Sequence, residues 1–310
     1  MNSQADVSAP AALAGLRGDR VTYGAVHLGV RDLERSLAFW RDLIGLGELA
    51  SEQGEARLGA DGRALVVLHA DATRPAARGH AGLYHVALHV PEEQELARLL
   101  VALDQAGVPQ SPTDHIYSKV TYVHDPDGIM LELTLETPER FGSLEIGAGT
   151  VVMFDSDGRR RGPTEPLDVA EVIAALGEGE VSRPLAAGSY VGHVHLHVPD
   201  LRVANDFYRD VIGFQEHAFM EGFGMADLSA GGRFPHRLAL NVWNGPGAQQ
   251  APPDTAGLRR YELILGEEGR LAEVAAGAAS AGLPFSRDAA GAGRLQDPAG
   301  NEIALIQGQA

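Results

Sequence analysis

Residues 190–201 read YVGHVHLHVPDL and residues 22–33 read TYGAVHLGVRDL; the two align without a gap, yet His193 stands where the earlier copy has Ala25. His193, His195 and His197 alternate along a strand-like run, so their side chains share one face. Imidazoles collected on one face can ligate a metal or move protons near neutral pH. Other histidines stand in comparable runs: His27 in the first copy, His85 in GLYHVALHV, His115 in TDHIYSKVTY and His236 in FPHRLALNVW. Taken singly, His27, His195 and His197 are each more readily hydrogen-bonded strand histidines than ligands. Glu132 differs, because it lies inside the apolar run IMLELTL. A buried carboxylate without a partner is costly there, and a cation would supply one.

The elements that must carry these residues also repeat. DLERSLAFWRDLIGL (32–46) is matched by DLRVANDFYRDVIGF (200–214), each a helical apolar stripe stopped by a glycine, with Asn205 the polar exception at the position of Leu37. Strand-like runs follow at 57–70 and 234–243. A second motif, strand then amphipathic helix then glycine, occurs at 82–109 and 258–284. Both copies lead into an Asp-Pro-x-Gly turn and a last strand, at 124–135 and 296–307. The chain therefore divides into four βαβββ modules, in the order A, B, A′, B′, and the fold class is α+β. Residues 1–18 read as a flexible tail, 19–136 as a first two-module domain, 137–187 as a connector and 188–310 as a second domain. Within the connector, Arg159–Arg161 belong to a turn-like SDGRRRGP run, better read as solvated than as an anion site.

Bulk composition narrows the partners. The chain has 310 residues, enough for two domains, with 25 basic against 42 acidic side chains and a net charge of −17. That balance argues against nucleic acid or an anionic membrane surface as a partner. With no cysteine, thiolate catalysis, disulfides and cysteine zinc sites are excluded. No apolar run approaches spanning length and no signal-peptide pattern opens the sequence, so the expected location is cytoplasmic.

The tandem histidine strand, the DLERSLAFW helix, LYHVAL and DPDGIMLEL together resemble the vicinal oxygen chelate superfamily, which includes glyoxalase I, type I extradiol dioxygenases and bleomycin-binding proteins. Within it, GHVHLHVPDL, GLYH, DHIYSKVTYVHDPDG and PHRLALNVWNGPGA look like two-domain catechol 2,3-dioxygenases. The likeness spans residues 20–136 and 188–307. It implies two half-barrel clefts, each built by two facing modules. It also implies a metal held by a first-strand histidine of one module and by a histidine and a last-strand carboxylate of its partner.

Matched residue by residue, the first-strand position seven before the helix-opening aspartate is His193 before Asp200, and Ala25 before Asp32. The partner histidine is His85, with Glu262 expected at that position in B′; the carboxylate is Glu132, with Ala304 in B′. Pairing B with A′ gives one complete site, His85, Glu132 and His193, and leaves the A–B′ cleft empty. Pairing the modules sequentially would instead make His27 the alternative first ligand. Two imidazoles and one carboxylate leave room at an iron for a bidentate substrate and O2. The resemblance further implies His236 as acid–base, with Tyr122 and His115 in the pocket. The plainer readings are a turn cap for His236, a core residue for Tyr122 and a loop residue for His115. The expected activity is a metal-dependent extradiol dioxygenase opening a catechol-type diol with O2 on Fe(II), with Mn(II) as the other metal considered and a homo-oligomer allowed. A glyoxalase-like lyase or isomerase, and a non-catalytic resistance-type binding protein, are the alternatives.

Overall fold

The computed structural model describes residues 14–147 and 150–308. Most of the segment read as a tail lies outside the described residues. Its described end is tied down: Ala14–Leu16 forms a 3₁₀ turn, and the Gly15 carbonyl accepts a 2.5 Å hydrogen bond from Arg237. Among the described residues no helix is long and apolar enough to cross a membrane.

Each module begins with one long strand: Val21–Gly29 in A, Gly82–Val90 in B, Tyr190–His197 in A′ and Gly257–Leu265 in B′. A helix and three further strands follow in every case, which makes the fold α+β. The strands do not associate by sequence halves. The larger, nine-stranded sheet joins B to A′ through antiparallel pairing of Gly82–Val90 with Tyr190–His197. The eight-stranded sheet joins B′ to A in the same way, through Gly257–Leu265 and Val21–Gly29. The modules are therefore crossed.

Local chemistry explains the helices after the first strands of A and A′. Asp32 and Asp200 cap them, their carboxylates accepting from the backbone N–H of Arg35 and Val203. Each helix starts as α, over Leu33–Leu37 and Leu201–Asp206, and continues as a π turn, over Ala38–Leu43 and Phe207–Ile212. The sequence pattern shows a helix but not this widening. An i→i+5 bond joins the Ile44 N–H to the Phe39 carbonyl, and both residues are buried with Trp40 in the core. Gly213, at φ 101°, ends the second helix in a left-handed conformation.

The segment between the second and third modules is more than a tether. Phe141–Gly147, Thr150–Asp155 and Arg160–Arg161 form a three-stranded sheet, and Glu165–Pro166 extends the nine-stranded sheet at its edge. Arg159 and Arg161 are paired to Asp157 and Glu165.

Candidate metal centre

The crossed pairing sets three polar side chains in one patch of the nine-stranded sheet. Ala87 lies opposite His193 on one side and Glu132 on the other, so the three share a row and a face. His85 stands two residues from Ala87 on the same strand and faces the same way. Because Ala87 contributes only a methyl group, the space between the larger side chains stays open. His85 Nε2 lies 2.9 Å from Glu132 Oε2 and 3.1 Å from His193 Nε2, and His193 Nε2 lies 3.3 Å from the same oxygen. All three residues are buried.

These separations suit a cation. Donors held about 2.1 Å from an ion and at right angles to one another lie about 3 Å apart. The charge balance suits one too. Burial pulls the pKa of both imidazoles down, against the opposing charge of Glu132, and favours their neutral, ligating form. Neutral rings beside a buried carboxylate leave one negative charge uncompensated, which a divalent ion offsets. A second trio, His85, His195 and His236, also brings three nitrogens within 4.8 Å of one another. It lacks a carboxylate, and His195 Nε2 accepts from the Asn241 amide at 2.8 Å. The carboxylate-containing trio is the better cation site.

Beside the trio opens a cavity of about 390 Å³. His236, His115 and Tyr122 all line it. His236 Nδ1 lies 2.9 Å from Asp227 Oδ1. Burial works against a charged His236 ring, but the Asp227 charge 2.9 Å from it outweighs that and raises its pKa. His115 Nδ1 lies 2.8 Å from the Pro163 carbonyl, which can only accept. That fixes the proton of neutral His115 on Nδ1, so the Tyr122 hydroxyl donates to His115 Nε2 at 2.9 Å and turns a lone pair to the cavity. Burial, first, and the nearby Glu132 charge keep Tyr122 a neutral phenol.

Sequence reasoning missed several members of this wall. Tyr84 and Trp243 stand edge-on to each other, 5.4 Å between ring centroids, at the cavity mouth. Asp227 comes from a strand in which nothing marks it as a partner of His236. Phe141 and Met153 come from the presumed connector. Tyr84 alone had a signal, as the neighbour of His85 in GLYH.

His27 is not part of this centre. It lies in the eight-stranded sheet, where Nε2 meets Glu262 at 3.2 Å and Nδ1 meets His69 at 2.9 Å. The register also corrects the position assigned to Glu262. His85 pairs with His195, and in the other sheet Arg260 pairs with His27, so Arg260 is the counterpart of His85. Glu262 pairs with Ala304 as Ala87 pairs with Glu132. It thus fills the central position that Ala87 leaves open, accepting from the Ala25 backbone N–H at 2.9 Å.

Residues 22–133 match the glyoxalase/bleomycin resistance protein/dioxygenase superfamily. The chain is 32% identical over 255 residues to a catechol-2,3-dioxygenase of Bacillus subtilis, covering 81% of this chain and 85% of that protein. Among solved structures it resembles a putative dioxygenase from B. subtilis, with a TM-score of 0.62 at 13% identity over 92% of this chain and 85% of the other. It also resembles glyoxalase I from Zea mays, with a TM-score of 0.56 at 15% identity over 93% of both chains. At such identities these two structures speak for the fold alone. Sequence match, extended similarity and the module architecture agree: the chain belongs to the glyoxalase/bleomycin resistance protein/dioxygenase superfamily.

Proposed function

We propose that this protein is a metal-dependent extradiol dioxygenase that opens a catechol-type ring with O2, with Fe(II) held by His85, Glu132 and His193. The observation that carries the reading is the open trio of two imidazoles and one carboxylate at the wall of a cavity that also holds the His236–Asp227 pair. Mn(II) accepts the same donors. The 32% identity to a named catechol-2,3-dioxygenase supports the same class of substrate.

A ferrous ion, when bound, supplies open positions for both diol oxygens and O2 and passes electrons between them. The protein manages the protons and the approach. With His236 Nδ1 turned to Asp227, Nε2 is the atom left to take a diol proton, and Asp227 stabilises the imidazolium that results. The same Nε2–H then returns the proton as the ring opens. Tyr122, whose proton is given to His115, accepts a hydrogen bond from the second hydroxyl through an oxygen lone pair. Tyr84, Trp243 and Phe223 supply apolar faces for the ring, and the 390 Å³ volume suits a substituted monocyclic diol.

Oxygen consumption tests this directly. Protein purified anaerobically and loaded with Fe(II) should consume one O2 per catechol and produce a yellow ring-opened product. Iron-loaded protein that consumes no oxygen with any of a panel of catechols would sink the dioxygenase reading. Turnover of a hemithioacetal without oxygen would transfer the site to glyoxalase-like chemistry.

A further inference from the structure

We propose that His89, Glu136 and Arg237 form a positioning relay that fixes which nitrogen of His193 faces the metal; the inference rests on the metal reading above. His193 Nδ1 lies 2.9 Å from His89 Nε2, and His89 Nδ1 lies 2.7 Å from Glu136 Oε1. That oxygen also receives the Arg237 guanidinium at 2.5 Å and the Tyr190 hydroxyl at 2.6 Å. Arg237 is held in turn by Asp19 at 2.7 Å. His89 and Arg237 are buried, and Glu136 is nearly so.

The direction of the chain follows from what each group can do. An ionised carboxylate only accepts, so the neutral His89 ring must carry its proton on Nδ1. That leaves His89 Nε2 as an acceptor, which requires the proton of His193 to sit on Nδ1. The lone pair of His193 is then on Nε2, the nitrogen that faces Glu132 and His85. Arg237 and Tyr190 saturate the far end, so Glu136 stays ionised and the order cannot reverse. A metal-bound histidine is commonly oriented by one carboxylate; here a second histidine is inserted between them.

Two further observations argue that the arrangement serves the ligand. The His89 ring packs so closely on the Tyr190–His197 strand that a Cβ at Gly192 would collide with it, and only glycine leaves it that room. The other sheet supplies an internal comparison. Its register places Ile264 at the position of His89, Thr22 at that of Tyr190 and Leu65 at that of Arg237. Gly308 stands at the position of Glu136, four residues after Ala304 as Glu136 is four after Glu132. The cleft whose ligand position holds Ala25 has lost the supporting chain as well. His85 has no such support: its Nδ1 is buried with no hydrogen-bond partner among the described residues.

The test uses the full chain, stripped of metal and titrated with Zn(II), a diamagnetic and redox-inert probe, by chelator competition. His89→Phe should remain folded by circular dichroism and lose about 10- to 100-fold in zinc affinity. His89→Gln, whose amide oxygen can still accept from His193, should recover most of that loss. In zinc-loaded wild type, ¹⁵N-edited spectra should show His89 protonated at Nδ1 and bare at Nε2. A His89 proton on Nε2, or a His89→Phe protein binding zinc as tightly as wild type, overturns the relay while leaving the metal centre standing. Wild type that binds no zinc overturns both.

Discussion

Replacing His193 by alanine should remove the metal, whereas His27→Ala should leave it in place; elemental analysis of each protein decides. The reason is local. His193 closes the only trio that includes a carboxylate among the described residues, while His27 is committed to Glu262 and His69. His236 belongs to a separate step. His236→Phe should keep stoichiometric metal yet lower kcat by about 10²- to 10⁴-fold, the usual contribution of a positioned acid–base group. Glu136 gives a prediction for acid. Burial opposes its charge, but the His89 hydrogen bond and Arg237 hold its pKa down at about 2, against an ordinary 4.5. A carboxyl depressed in the folded state contributes its full stability above pH 4.5 and loses it as pH falls toward 2. Urea midpoints should therefore drop from pH 5 to pH 3 in wild type, and with a shallower slope in Glu136→Gln.

At the scale of elements, the nine-stranded sheet works because one strand offers a small residue where its neighbours offer ligands. Ala87→Leu should occupy the gap between His193 and Glu132 and abolish metal binding while the fold survives. Circular dichroism together with a metal titration separates those outcomes. The helices are easier to read than the sheet. Their caps, apolar stripes and glycine stops stand plainly in DLERSLAFWRDLIGL and DLRVANDFYRDVIGF, because a helix is built from contacts three to five residues apart. The π turn at Ala38–Leu43 was not legible, since the same stripe fits an α-helix until core packing chooses. Nor was the part that the segment after the second module takes in the cavity wall, where Phe141 and Met153 line the same pocket as His236 and Tyr122.

For the whole molecule, the decisive feature is that the centre draws His85 and Glu132 from one half of the sequence and His193 from the other. Metal binding should then stabilise both halves together. Zinc at 100 times its dissociation constant should add about 2.7 kcal/mol and raise one shared thermal transition, an effect absent from His193→Ala. The second sheet answers to the same topology. Its counterpart positions hold Ala25, Arg260 and Ala304, with Glu262 filling the middle, so it lacks the trio of imidazoles and carboxylate that its twin presents.

By itself the sequence determined the four βαβββ modules, their turns and caps, and a set of histidines and one apolar-flanked carboxylate able to hold a metal. These are properties of short windows and of a repeat that can be laid over itself. Only the tertiary structure decided which modules share a sheet, that Arg260 and not Glu262 stands opposite His27, and that His89 reaches Glu136 behind His193. Each depends on strand register between segments distant in the chain, and a two-residue offset keeps every side chain on its own face. Periodicity cannot tell one such register from the next; cross-strand packing does.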